Sequence, residues 1–76
     1  MEDLITLVAQ AIVGSPDDVS VSTDEAGDVR CYNLKVAQDD VGKVIGRRGR
    51  TVRAMRTLVK AAAARTGQKV EFEVVE

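Results

Sequence analysis

The sequence predicts an α+β two-layer sandwich with the element order α-β-β-α-α-β, built from three helices and a three-stranded mixed sheet. Three segments repeat apolar residues at helical spacing, and three others alternate apolar and polar residues. Glycine, proline or aspartate turn signals separate these segments. Because 76 residues can enclose only one modest core, we predict a single domain over residues 1–76.

The first half of the chain is predicted to form a helix followed by a β-hairpin. Apolar residues repeat at helical spacing over residues 2–13, and the stop signal Gly14-Ser15-Pro16 follows. A strand is expected to begin at Val19. The turn residues of Asp24–Asp28 separate it from a second strand over Val29–Val36.

The second half is predicted to form a short helix, a long helix and a third strand. Asp39 or Asp40 is expected to cap the short helix, which ends at Gly46. The long helix is expected to start near Arg50 and to end at Gly67, with a stripe of buried residues at Val52, Met55, Val59 and Ala62. The third strand runs over Lys69–Val75, and its long connection from the second strand suits a parallel crossover. The residues predicted to face inward from the second and third strands are Tyr32, Leu34, Val36, Val70, Phe72 and Val74.

The distribution of charge indicates a partner more clearly than the formal net charge of −1 does. All 12 acidic residues lie outside the segment from Val41 to Val70, whereas nine of the 11 basic residues lie within it. Those nine are Lys43, Arg47, Arg48, Arg50, Arg53, Arg56, Lys60, Arg65 and Lys69. Such a partition gives the domain one positive side, which attracts polyanions.

Two glycines, Gly46 and Gly49, bracket Arg47 and Arg48 at the junction of the two predicted helices. Glycine can adopt positive φ and lets another backbone approach closely. The next helix directs its N-terminal amides and the positive end of its dipole to the same place. This combination predicts a phosphate site, and the flanking basic residues favour a chain of phosphates over a single one.

The segment VIGRRGRTVRAMRTLV, from Val44 to Val59, resembles the signature of KH domains. In that signature an apolar pair precedes Gly-x-x-Gly, and apolar residues recur along the next helix. The residues that match it are Val44, Ile45, Gly46, Gly49, Val52 and Met55. The element order resembles the type II arrangement of the KH fold, and the whole chain is similar to the small single-KH bacterial RNA-binding proteins of the KhpA family.

The resemblance implies that Gly46–Gly49 clamps the backbone of about four unpaired nucleotides. The bases would then lie in a groove between the short helix and the second strand. Asn33 and Lys35 of that strand are candidates to contact the bases. The other candidate RNA-binding residues are Val41, Lys43, Val44, Ile45, Gly46, Arg47, Arg48, Gly49, Arg50 and Arg53. For Arg53, Arg56 and Lys60, an extended phosphate track and a merely solvated helix face both remain open.

The resemblance also implies a biological role and protein partners. The role is that of a post-transcriptional regulator or RNA chaperone. The chain would pair with itself or with a larger KH-containing RNA-binding protein, which would strengthen weak single-domain binding.

The composition favours a binding protein over an enzyme. Adjacent acids such as Asp39-Asp40 are expected to be caps and turn residues, and we predict no catalytic residues, no metal site and no cofactor. Cys31, the single cysteine in a chain without histidine, is expected to be a small buried hydrophobe. No apolar run approaches the length of a membrane span, and we expect no signal peptide, no membrane partner and a cytoplasmic location.

Two other functions remain as alternatives. A protein-interaction module could present its basic helical surface to an acidic partner. A helix-hairpin-helix DNA module also joins helices through glycines, but it would leave the three strands unexplained.

With one Tyr and one Phe, the chain lacks the aromatic platform that many single-strand binders use.

Overall fold

The computed structural model describes residues 1–75 and confirms the predicted α+β fold and element order. The helices and strands are α1 (Glu2–Ile12), β1 (Ser20–Ala26), β2 (Val29–Lys35), α2 (Val41–Ile45), α3 (Arg50–Ala64) and β3 (Lys69–Val75). Within these residues, no helix combines the length and the apolar character needed to cross a membrane.

The three strands form a mixed sheet with β2 in the centre. β1 and β2 are antiparallel, and β2 and β3 are parallel, as the two-helix crossover predicts. The predicted hairpin turn over Asp24–Asp28 is too long, because Ala26 pairs with Val29 and leaves only Gly27 and Asp28 in the turn. Gly27 there has a φ of 64°. Asp24 belongs to the strand, where its carboxylate accepts a 3.0 Å hydrogen bond from Asn33.

The helices cover one face of the sheet and enclose the core with it. α1 packs on β1, α3 packs on β3, and α2 contacts α1, α3 and β3. The buried apolar residues are Ile5, Ala9, Tyr32, Leu34, Val36, Val44, Met55, Val59, Ala63, Val70 and Phe72. Full burial of a side chain such as Phe72 stabilises the fold by about 1.5–3 kcal/mol.

The buried stripe of α3 differs from the predicted one at both ends. Met55, Val59 and Ala63 are buried at intervals of four residues, whereas Val52 and Ala62 are only partly buried. Ala63 takes the place predicted for Ala62 because the i, i+4, i+8 row of an α-helix stays close to one line along its length.

The other face of the sheet, termed the outer face, carries Cys31 and Asn33 of β2 and their neighbours on β1 and β3. Its acidic members are Asp24, Glu71 and Glu73, which are exposed. Cys31 is therefore partly buried on an open surface, and the prediction of a core position for it is wrong. Partial burial raises the pKa of the Cys31 thiol, and the three nearby carboxylates raise it further.

Candidate nucleic-acid interface

The Gly46–Gly49 loop joins α2 to α3 through an unusual run of backbone conformations. Gly46, Arg48 and Gly49 have φ angles of 76°, 57° and 74°, so three of its four residues lie at positive φ. Arg48 is the only residue other than glycine with positive φ among residues 1–75. This conformation is uncommon for an L-residue with a side chain, and tertiary contacts must hold it.

Gly46 is required by the path of the chain and not only by its dihedral angles. A Cβ atom at this position would lie 2.9 Å from the backbone nitrogen of Thr51, closer than packing permits. Gly49 is less restricted, because a Cβ atom there would have no neighbour nearer than 3.9 Å. The first glycine therefore allows α3 to begin directly against the end of α2.

The backbone of the loop presents free donors. Gly46 donates its amide to the carbonyl of Gly42 and Gly49 to that of Gly46, at 2.9 Å and 3.1 Å. The amides of Arg47 and Arg48 have no acceptor within residues 1–75. The side chains of both residues are exposed. Two unpaired N–H groups and two guanidinium groups at the N-terminal end of α3 are suited to bind an anion.

Arg50 and Arg53 also lie exposed at the start of α3, but the structure gives them different surroundings. Arg53 donates from Nε to the carbonyl of Gly49 at 3.3 Å and from Nη2 to the carbonyl of Arg48. Its guanidinium is thus directed at the loop backbone. Arg50 has no side-chain hydrogen bond or ion pair within residues 1–75 and extends the positive surface.

Asp40 fixes the position of α2. Its carboxylate, with only 3% of the residue exposed, accepts hydrogen bonds from the amides of Gly14 and Ser15 at 3.0 Å and 3.1 Å. The Gly14 bond is the largest cause of the lowered pKa of Asp40, and Lys43 contributes through an ion pair at 3.4 Å. Asp40 occupies the predicted N-cap position of α2, but its side chain makes no capping hydrogen bond there. Asp40 instead connects α2 to the end of α1.

The apolar candidates on α2 divide into one core residue and two accessible ones. Val44 is fully buried, so its side chain supports the loop from within the core and cannot contact a base. Val41 and Ile45 are partly exposed next to the loop. Lys43 is exposed, although its ammonium is shared with Asp40.

The structure does not bring Asn33 and Lys35 together with the other candidates. In β2 they alternate with the buried residues Tyr32 and Leu34, which places them on the outer face, away from the helices. α2 packs against β3, and β2 is the central strand. The groove between α2 and β2 stays a prediction.

Two residues of this region have positions that sequence reasoning missed. Thr51 contacts Gly46, and Asp40 bonds to residues 25 and 26 positions away in the chain. Neither contact leaves a local sequence signal, although the Gly-x-x-Gly spacing does indicate a close approach. Within residues 1–75, no cluster of three potential metal-ligating side chains occurs.

Comparison with known proteins places this geometry in a family. The family model described as "KhpA/KhpB, KH domain" matches residues 2–74. The RNA-binding protein KhpA of Bacillus subtilis (strain 168) is 41% identical over 76 residues, which cover 100% of this chain and 94% of that protein. The RNA-binding protein KhpA of Listeria monocytogenes serovar 1/2a is 37% identical over 76 residues, covering both chains fully.

A third relative, the RNA-binding protein KhpA of Borreliella burgdorferi, is 40% identical over 74 residues, covering 97% of this chain and 90% of that protein. The comparison with solved structures gives no significant match. The whole-length match to the family model and the identities to these relatives agree with the fold and with the resemblance in the sequence. This chain belongs to the KhpA/KhpB family of KH domains.

Proposed function

We propose that this chain is a cytoplasmic, non-enzymatic RNA-binding protein whose Gly46–Gly49 loop holds the backbone of single-stranded RNA. The chain acts as one KH domain and serves as a post-transcriptional regulator or RNA chaperone. The observation that carries the proposal is that the amides of Arg47 and Arg48 have no acceptor within residues 1–75 and that the side chains of both residues are exposed. The relatives are named RNA-binding proteins, and this supports the choice of RNA as the polyanion.

The residues of this proposed site have separate tasks. The backbone of Gly46–Gly49 approaches a phosphate, and the side chains of Arg47, Arg48 and Arg50 provide charge along the strand. Lys43 adds charge on the α2 side. Val41 and Ile45 offer aliphatic surface to a base beside the loop. With no aromatic platform available, this contact gives modest sequence selectivity.

The preference for single strands is tested by fluorescence anisotropy with a short unpaired RNA and with a perfect duplex. We expect tighter binding to the single strand. A clamp of about four phosphates predicts a slope near −3 in a plot of log affinity against log salt concentration, because each single-strand contact contributes about −0.7. Equal affinity for the duplex, or no salt dependence, would contradict the proposal.

The loop is tested by the double substitution Arg47→Asp/Arg48→Asp. It replaces attraction by repulsion where the RNA backbone comes closest, and we expect binding to fall below detection while the melting temperature stays close to that of the parent. Arg65→Asp/Lys69→Asp is the matched control, since it makes the same charge change beyond the far end of α3, a helix about 22 Å long. If both variants lose affinity equally, net charge and not the loop governs binding.

The proposed assembly is a homodimer or a heterodimer with a larger KH-containing RNA-binding protein. Leu7 on α1 and Leu58 on α3 are 67% and 44% exposed, and apolar residues of both helices line a shallow groove between them. Leu58→Lys should shift sedimentation toward the monomer. If the parent is a dimer and Leu58→Lys sediments as the same dimer, the contact between subunits lies elsewhere.

A further inference from the structure

Arg53 joins the backbone of the loop at two successive peptide groups. Its Nη2 and Nε atoms donate to the carbonyl oxygens of Arg48 and Gly49, the two adjacent residues at positive φ. A planar guanidinium offers several N–H donors in a fixed fork, which a lysine ammonium cannot reproduce. The geometry therefore uses a property specific to arginine.

Each of these two peptide groups is also held from its other side. A trans peptide directs its C=O and N–H in opposite directions. In the peptide between Arg48 and Gly49, Arg53 binds the C=O and the carbonyl of Gly46 accepts the N–H at 3.1 Å. In the next peptide, Arg53 binds the carbonyl of Gly49, and the amide of Arg50 donates to the carbonyl of Arg47.

This double attachment has a consequence for an approaching anion. The carbonyl oxygens of Arg48 and Gly49 carry partial negative charge, which would repel a phosphate close to the loop. Arg53 binds both oxygens, and the two amides without acceptors, those of Arg47 and Arg48, are left as the donors of the loop.

We propose that Arg53 is a positioning residue that fixes the left-handed conformation of Arg48 and Gly49, and that it is not itself a phosphate contact. The inference deepens the proposed RNA-binding function and rests on it for its effect on RNA. Its effect on the loop can be measured without RNA.

The first measurement uses nuclear magnetic resonance of the free protein. In Arg53→Lys, which keeps the charge, we expect amide hydrogen exchange at Gly49 and Arg50 to become several-fold faster. The nuclear Overhauser effect between the amide and Hα protons of Arg48, which is strong at positive φ because the two protons are close, should weaken. Arg50→Lys is the matched control and should leave both observables unchanged. Unchanged amide exchange and an unchanged Overhauser effect in Arg53→Lys would overturn the proposal, whether or not the parent binds RNA.

The second measurement separates positioning from phosphate contact. In Arg53→Gln, we expect affinity for a short unpaired RNA to fall about tenfold while the salt slope keeps its parental value. A direct phosphate contact would lower the magnitude of the slope by about 0.7, and that result would overturn the assignment. Arg50→Gln removes a charge but no bond to the loop, and it should reduce the magnitude of the slope instead. A parent that binds no RNA would refute the proposed function, and the exchange data would still decide the role of Arg53 in the loop.

Discussion

The Gly46–Gly49 loop and the outer face of the sheet are both exposed and polar, yet different features determine their properties. The loop depends on single contacts, such as the close approach of Gly46 to Thr51 and the two bonds from Arg53. The outer face is regular strand backbone whose side chains carry mainly negative charge. Small changes of shape should therefore disrupt the loop, whereas the outer face should respond to changes of charge.

The largest effect is expected at Gly46. Gly46→Ala introduces a Cβ atom 2.9 Å from the nitrogen of Thr51 at a φ of 76°, and we expect a loss of about 2 kcal/mol in the free energy of unfolding. RNA affinity should fall with it. Urea denaturation measures the first effect and fluorescence anisotropy the second.

Two other glycines provide graded controls for that substitution. Gly49→Ala meets only the cost of positive φ, about 1 kcal/mol, because the nearest atom is 3.9 Å away. Gly42→Ala in α2 meets no atom within 4 Å and should stabilise the protein by up to about 1 kcal/mol. Equal stabilities for the three variants would contradict the contact between Gly46 and Thr51.

Asp40→Asn tests the contact that connects α2 to the end of α1. The amide of asparagine cannot accept both backbone bonds with a carboxylate's strength, and we expect the melting temperature at pH 7 to fall by several degrees. Asp39→Asn, a change at the exposed neighbour, should have little effect.

The pH dependence of stability gives Asp40 a second test. Because folding lowers the pKa of Asp40, its contribution is present above the unfolded value of about 3.9 and is lost as the pH falls through the folded value. The difference in stability between the parent and Asp40→Asn should therefore narrow below about pH 4. A constant difference from pH 7 to pH 2 would show that the charge of Asp40 does not contribute.

Reversal of charge on the outer face should have a smaller effect. Glu71→Lys/Glu73→Lys places two positive charges on an exposed strand, and we expect weak additional RNA binding at low salt that does not distinguish single strands from duplex. The additional binding should persist when Arg47→Asp/Arg48→Asp is added. Glu71→Gln/Glu73→Gln, which removes the charge without reversing it, is the control. If the reversed face discriminated between the two RNA forms, the loop would not be needed for that preference.

The smallest effect is expected for the ion pair between Lys69 and Asp28. Their side chains are both largely exposed and lie 3.5 Å apart, so Lys69→Gln should change the free energy of unfolding by no more than about 0.5 kcal/mol. A larger loss of unfolding free energy, measured by urea denaturation, would mean that the sheet surface depends on single contacts as the loop does.

The sequence predicts the fold well because the signals of the fold are local. The alternation of Tyr32 and Leu34 in β2, and that of Val70 and Phe72 in β3, predicts which sheet face is buried. The spacing of Gly46 and Gly49 predicts the position of the loop. The sequence predicts the hairpin turn less accurately, since Asp24 and Glu25 favour turns locally but their side chains bond across the strands to Asn33 and Arg30.

The candidate site is less predictable because its details depend on distant parts of the chain. The partners of Asp40 are in the segment after α1, and no local pattern distinguishes that role from a helix cap. Alternation places Asn33 on the exposed face of β2, but it does not indicate whether that face borders the candidate site. For Arg53, helical spacing predicts only that the side chain is exposed. Its hydrogen bonds to the carbonyls of Arg48 and Gly49 depend on the positive φ values of the loop, which the spacing does not reveal.

The partly buried thiol of Cys31 has a practical consequence for work on this protein. Since its raised pKa keeps the sulfur protonated at neutral pH, alkylation should be slow, and negatively charged disulfide reagents should be repelled by the neighbouring Asp24, Glu71 and Glu73. A neutral maleimide fluorophore near neutral pH, where the lysine amines stay protonated, would instead label this single thiol over a longer reaction time. It would place a reporter on the side of the molecule opposite the helices, where it can record the approach of a partner without touching the loop.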